Sequence, residues 1–387
     1  MVPNSNDRHV ASLATVFTEW SRLGLIGFGG PPAHVGLLRT LCVEKRAWID
    51  EEEFEHALAA TNLLPGPAST QLAIYCAWRI RGVIGGVVGG LCFITPGLVM
   101  IVALAALFLA DATPWWITGA ALGTGAAVPA VALRTAHQLG TTNWRRVASS
   151  GSTHPRWISF VLLGVAASVW FPSLIVLAIL GAGFAEVASR TRDTRHSSKG
   201  LLGSLAPLHL VGSAGVGALS WVAFKIGALS YGGGFVIVPL MQHDVVTTYH
   251  WMTGAQFLNA VALGQLTPGP VVLTIAAVGF AAKGLTGALI AAAVAFTPSF
   301  FLVLIGGPRF DRLRASVRAT AFLAGAGPCV IGAIAGSSVD LGLLLRHAWQ
   351  APLLAGALVW LFVARRSILT ALLLSGLAGS LITLWSH

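Results

Sequence analysis

Long apolar runs alternate with short polar interruptions along this chain. Residues 83–110, 115–133, 157–185, 211–229, 285–306 and 352–385 carry few charges or none. Several of these runs reach the roughly 20 residues that a helix needs to cross a hydrocarbon layer of about 30 Å. The pattern therefore predicts transmembrane helices. Composition agrees: 55% of the residues are hydrophobic and 10% are charged, whereas a soluble domain carries about 25% charged residues to cover its surface. Glu19 and Arg22 interrupt the first apolar run, so that run does not read as a cleavable signal peptide.

The net charge of +10 changes the picture only through its placement. The basic residues sit in short loops between apolar runs, where they set topology rather than bind nucleic acid. Cys42, Cys76, Cys92 and Cys329 are scattered through apolar stretches without a CxxC, which reads as packing and calls for no disulfide, metal or other cofactor. No HExxH, paired intramembrane carboxylates or phosphate-cradling loop occurs, which argues against a membrane-embedded enzyme or a nucleotide-driven pump.

The chain repeats itself. The shift that carries Arg22 onto Lys225 also carries Phe28-Gly29-Gly30 onto Tyr231-Gly232-Gly233, Trp48 onto Trp251, Asn62 onto Gln265, and Pro65-Gly66-Pro67 onto Pro268-Gly269-Pro270. After a one-residue slip, Arg81-Gly82 meets Lys283-Gly284 and Thr95-Pro96 meets Thr297-Pro298. Equivalent loops carry opposite charge character. The loop at 111–114 has no basic residue, but its counterpart holds Arg309, Arg312, Arg314 and Arg318. The loop at 134–156 holds Arg134, Arg145, Arg146 and Arg156, but its counterpart only Arg346. By the positive-inside rule such loops lie on opposite faces of the membrane. The expected fold is therefore an all-α polytopic membrane protein of two inverted-topology homologous halves, 1–186 and 210–387, joined by a basic linker at 187–209. About ten transmembrane helices and two re-entrant helical hairpins are expected, with the linker cytoplasmic and both termini outside.

The hairpins carry the candidate chemistry. Residues 50–79 and 254–283 do not read as ordinary spans, because each is broken by Pro-Gly-Pro. Their arms of about 13 residues rise only about 20 Å each, too short to cross. Irregular backbone at membrane depth is tolerated only when it is buried in protein or lines a polar cavity. A helix starting just after each Pro-Gly-Pro would present free amides near Ala68, Ser69, Thr70 and Gln71, and near Val271, Val272, Leu273 and Thr274, a setting for an anion. The candidate substrate-binding set is Arg22, Gly29, Gly30, Asn62, Pro65, Gly66, Pro67, Ala68, Ser69, Thr70 and Gln71 in the first half. In the second it is Lys225, Gly232, Gly233, Gln265, Pro268, Gly269, Pro270, Val271 and Thr274. Arg22 and Lys225 either serve the site or snorkel to headgroups. Glu19, Glu53 and His56 are proton-coupling candidates, set against an ion pair of Glu19 with Arg22 and a solvated hairpin entrance for Glu53 and His56.

Arg22-Leu-Gly-Leu-Ile-Gly-Phe-Gly-Gly-Pro31, Trp48, Glu53-Phe54, the Leu64-Pro-Gly-Pro67 run to Gln71, and Arg81-Gly82 resemble the first domain of the chromate transporter family. Lys225-Ile-Gly-Ala-Leu-Ser-Tyr-Gly-Gly-Gly234, Pro239-Leu240 and Ala262-Leu-Gly-Gln-Leu-Thr-Pro-Gly-Pro270 resemble its second. The resemblance implies the bidomain form: a multi-pass secondary transporter of the bacterial inner membrane, with antiparallel halves, that exports chromate and confers resistance to it. Val271, Val272 and Leu273 stand where the family often carries small polar residues, which implies a drier second hairpin. A sulfate or other oxyanion carrier of the same architecture is the alternative, a passive anion channel is a further one, and assembly into a homodimer is left open.

Overall fold

The computed structural model of the chain describes residues 11–109, 114–147, 153–192, 215–230, 237–307 and 316–386. Every regular element among these residues is helical. We number the α-helices in chain order. The first part contains α1 (Leu13–Ile26), α2 (Pro31–Arg39), α3 (Glu51–Thr61), α4 (Ala68–Phe108), α5 (Trp115–Val147), α6 (His154–Trp170) and α7 (Ile175–Arg192). The second contains α8 (Val216–Leu229), α9 (Ile237–Gln242), α10 (Gly254–Leu266), α11 (Thr274–Gly306), α12 (Val317–Leu343), α13 (Gln350–Leu358) and α14 (Ile368–Ser386). Wide π turns extend α2 over Thr40–Lys45, α9 over His243–Thr248 and α13 over Val359–Val363.

The sequence explains where these helices start. Asp50 accepts a hydrogen bond from the Glu53 amide at the head of α3, and Glu51, Glu52 and Glu53 put negative charge at the positive helix end. At α10 the same position is capped without charge, by the reciprocal box of Thr253 and Gln256. Pro31 opens α2, where its missing N–H costs nothing. Both long helices, α4 and α11, change direction at equivalent points. Gly82 (φ 65°, ψ −160°) follows Arg81 in one, and Gly284 (φ 62°, ψ −152°) follows Lys283 in the other. Glycine takes this left-handed geometry without the Cβ clash that other residues suffer. The short helical piece after each Pro-Gly-Pro thus runs straight into a long apolar helix.

Packing ties the two parts together. α4 lies against α11, while α5 packs on α13 and α14, and α12 packs on α6 and α7. Hydrogen bonds cross between them: the Gln350 side chain donates to the Leu122 carbonyl at 3.0 Å and the Ser380 hydroxyl to the Trp116 carbonyl at 2.9 Å. Small residues let these backbones touch, as TM interfaces require. A Cβ at Gly164 would collide with the Cys329 carbonyl, and one at Gly332 with that of Val161.

Among the described residues, six stretches are long and apolar enough to cross a membrane: α4, α5, Pro172–Arg190, Val271–Gly306, α12 and Ile368–Trp385. α8 and Gln350–Val363 are apolar but shorter. The expectation of about ten spans is thus not reached by length and composition alone. The exposed side chains of Ile84, Val99, Leu162, Phe301, Leu377 and Leu381 show that much of the surface is apolar. Such a surface faces lipid, not water. The chain is a polytopic all-α membrane protein.

Candidate functional site

Between α3 and α4 the backbone reverses through Pro65-Gly66-Pro67. Gly66 has φ +115°, and a Cβ there would lie 2.6 Å from Gln71 Nε2, 3.0 Å from Ser299 Oγ and 3.4 Å from the Gly227 carbonyl. The tip of the first hairpin is therefore wedged against α8 and α11. Gln71 folds back and donates to the Pro65 carbonyl at 2.7 Å, which ties the turn to the first turn of α4. Lower down, Arg79 on α4 pairs with Glu53 on α3, and the Tyr75 hydroxyl donates to the same carboxylate oxygen at 3.4 Å.

Not all the expected amides are free. The Pro67 carbonyl accepts from both Thr70 N and Gln71 N at 3.0 Å, so the free donors of this turn are the Ala68 and Ser69 N–H groups. The turn still holds more polarity than its partners satisfy. Among the described residues, the buried Thr70 Oγ1 and Gln71 Oε1 have no hydrogen-bond partner, and neither do Ser230 Oγ at the end of α8, Ser299 Oγ on α11 or Gln265 Nε2 on α10. Leaving such atoms unpaired costs about 1–3 kcal/mol each. Of these atoms Gln71 Oε1 can only accept, while the Thr70 hydroxyl in the first turn of α4 and the Ser299 hydroxyl against Gly66 can donate, and hydroxyl donors beside a helix start suit a buried oxyanion.

The second hairpin differs in chemistry. Gly269 has φ +96°, and a Cβ at Gly97 of α4 would collide with the Pro268 carbonyl, so this tip is wedged against the first part. Leu273 N donates to the Pro270 carbonyl, and the Thr274 hydroxyl is used on the Val271 carbonyl at 2.8 Å. Its first turn is a tight 3₁₀ turn over Val271–Leu273, with Pro268, Gly269, Pro270, Val271 and Thr274 all buried. The expectation of free Leu273 and Thr274 amides fails for the same reason as at Thr70 and Gln71: a proline carbonyl or its neighbour folds back to take them.

One residue bridges the hairpins. His34, fully buried on α2, lies 2.8 Å through Nε2 from the Gly27 carbonyl and 3.1 Å through Nδ1 from Ser69 Oγ. The same Gly27 carbonyl accepts the Gly269 N–H at 3.0 Å. The first turn of α4 and the second Pro-Gly-Pro are thus joined through one imidazole and one carbonyl. Phe93 of α4 closes the edge of the ring, 5.1 Å away. Sequence reading missed His34, Ser230 and Ser299. Their signal was visible as polar residues in apolar runs, two of them beside breaks already noted, but His34 aligns with Ile237 and so had no echo in the repeat.

The remaining candidates are scattered in role. Lys225 pairs with Asp244, and that charge is therefore already compensated. Glu19 reaches Arg46 at 2.6 Å rather than Arg22, and Arg22 is exposed on α1. His56 lies 3.8 Å from Glu52 on an open helix face. Asn62 and Pro65 are exposed and Ala68 is half-buried. Gly29 (φ +100°) and Gly30 (φ +73°) form the break before α2, and the missing Cβ of Gly30 faces open space. Gly232 and Gly233 lie outside the described residues. A groove of about 580 Å³ sits apart from both tips, among apolar residues such as Leu133, Ile331 and Phe362. Among the described residues no group of three or more His, Cys, Asp or Glu could hold a metal.

Comparison with known proteins bears on this geometry directly. The model of a family described as "Chromate transporter" matches residues 14–187 and again 217–380. The chain belongs to the chromate transporter family. A "Chromate transport protein" of Cupriavidus metallidurans is 32% identical over 83% of this chain and 80% of its own length. A "Probable chromate transport protein" of Synechococcus elongatus is 32% identical over 86% and 85%. A "Chromate transport protein" of Pseudomonas aeruginosa is 28% identical over 96% and 92%. No solved structure matches the chain. Membership makes the protein a transporter rather than an enzyme and makes its substrate an oxyanion. The two matched segments each contain one Pro-Gly-Pro hairpin.

Proposed function

We propose that this protein exports chromate from the cytoplasm across the bacterial inner membrane, taking the dianion at the first turn of α4. The observation that carries this reading is the cluster of orphaned donors there. The Ala68 and Ser69 N–H groups, the unpaired Thr70 hydroxyl and the facing unpaired Ser299 hydroxyl surround a tip held by both parts of the chain. A helix start adds positive potential without a formal charge. The half-buried Lys225 is spent on Asp244, so neutral donors do the binding. Neutral donors do not separate chromate from the nearly isosteric sulfate, and sulfate is the second substrate to test.

Alternating access follows from the same contacts. The first hairpin is wedged against α8 and α11, the second against α4 and the end of α1. If the two matched segments are inverted halves, as their loop charges imply, rocking one against the other opens the shared tips to one face and then the other. Re-entry of each hairpin from its own face belongs to the same scheme. An inside-negative potential drives each net negative charge outward by about 2.3 kcal/mol per 100 mV, so export needs no nucleotide. The test is chromate accumulation by everted vesicles at imposed potential. Accumulation above equilibrium supports a coupled transporter, dissipation to equilibrium shows a channel, and sulfate accumulation without chromate reassigns the substrate. Cysteine labelling at 111–114 and 309–318 from opposite faces tests the inversion.

A further inference from the structure

We propose that His34 and Ser69 form a proton-operated donor switch for the oxyanion, so that the site binds one proton together with its anion. This rests on the α4 reading above and names its coupling chemistry. His34 Nε2 faces a carbonyl, Gly27, which can only accept, so Nε2 carries hydrogen in every state. In the neutral ring Nδ1 is then the acceptor, and the Ser69 hydroxyl must donate to it. That hydroxyl is lost to the anion. When Nδ1 takes a proton, the direction reverses: Nδ1–H donates to Ser69 Oγ, and the Ser69 hydrogen is free to turn toward the α4 amides. One proton thus adds one positive charge and releases one donor, with no other bond changed. Both effects favour a dianion in a buried site whose other donors are neutral.

The surroundings leave this task to His34. Its direct neighbours Gly27, Ser69 and Phe93 carry no ionisable group. α1 contributes Glu19, already bound to Arg46, and the exposed Arg22. α4 contributes the Tyr75, Cys76 and Cys92 hydroxyl and thiols, Arg79 bound to Glu53, and Arg81 at the kink. On its own helix and the following π turn, Arg39 is engaged by Glu51 and Glu55, and Cys42, Glu44 and Lys45 follow. The second hairpin tip, Pro268-Gly269-Pro270, has none. Among the described residues, the imidazole's hydrogen bonds go to Gly27 and Ser69. The repeat sharpens the point, because the equivalent residue is Ile237 and the equivalent first turn has no serine. The switch exists in one half only.

Linkage makes this measurable, because an anion that favours imidazolium must draw in protons, and protons must then favour the anion. Purified full-length protein in weak buffer, kept alkaline of the hydrogen chromate equilibrium, is mixed with chromate. Proton uptake is read with a soluble dye and bound anion by equilibrium dialysis. The wild type is expected to take up as much as about one proton per chromate, and its affinity to rise by as much as about tenfold for each pH unit downward until His34 is fully charged. His34→Gln is expected to bind more weakly, with no uptake and a flat pH profile. Ser69→Thr keeps the hydroxyl and retains uptake, and Ser69→Ala loses affinity mainly at acid pH. Chromate binding by the wild type without proton uptake overturns the switch, and so does wild-type uptake in folded His34→Gln. Absence of chromate binding by the folded wild type overturns the reading of the α4 site itself, and the switch with it.

Discussion

The two hairpins share a backbone and differ in almost everything else. Each reverses at a left-handed glycine between prolines, and each is wedged against the opposite part of the chain. The first then begins with Ala68, Ser69, Thr70 and Gln71 and leaves several polar atoms unpaired. The second begins with Val271, Val272 and Leu273 and consumes its one hydroxyl internally, at Thr274. The first is braced by the Glu53–Arg79 pair, the second by an uncharged capping box at Thr253 and Gln256. On the reading proposed above, the first turn receives the ligand and the second is its packed counterpart. Repeat symmetry locates both, and the assignment of the ligand to the first rests on that turn's chemistry.

The glycines break the comparison hardest. Gly66→Ala must adopt a left-handed geometry costing about 1–2 kcal/mol and also drives a methyl into Gln71 Nε2 and Ser299 Oγ. It should abolish chromate transport and lower the melting temperature. Gly269→Ala meets only the same backbone strain, since its nearest neighbour to a Cβ is 3.5 Å away, and should keep measurable transport. Equal loss from both would end the division of labour.

Glu53→Gln is next. It leaves the half-buried Arg79 without its carboxylate, at a cost of about 1–3 kcal/mol given the partial exposure of the pair, read as a drop in thermal stability. Gln256→Ala in the second hairpin removes part of a cap and should cost about 1 kcal/mol.

The hydroxyls sharpen the contrast through opposite signs. Thr70→Val removes an orphaned oxygen, so the protein should become slightly more stable. Chromate affinity should nevertheless fall about tenfold or more, the worth of a hydrogen bond to an anion. Thr274→Val removes a satisfied hydroxyl, so stability should fall by about 1 kcal/mol while affinity holds. Thermal unfolding and chromate dialysis on the same preparations separate the two. The smallest effect is expected from Arg22→Ala: the exposed side chain should change only the salt dependence of transport.

Much of this was legible without coordinates. Apolar run length and charge scarcity determine a helical membrane protein, because lipid accepts few other backbones. Repetition of Pro-Gly-Pro inside apolar segments located the hairpins, because proline and glycine act locally on φ and on the N–H supply. What tertiary structure alone decided was the occupancy of each polar group. Whether Lys225 is free, whether Glu19 meets Arg22 or Arg46, and which amides the prolines reclaim depend on neighbours brought from elsewhere in the chain. His34 is the sharpest case: a lone histidine on a mostly apolar helix has no periodic or repeated signature. Its meaning comes from a carbonyl seven residues back and a hydroxyl thirty-five residues on, which only packing brings to the same ring.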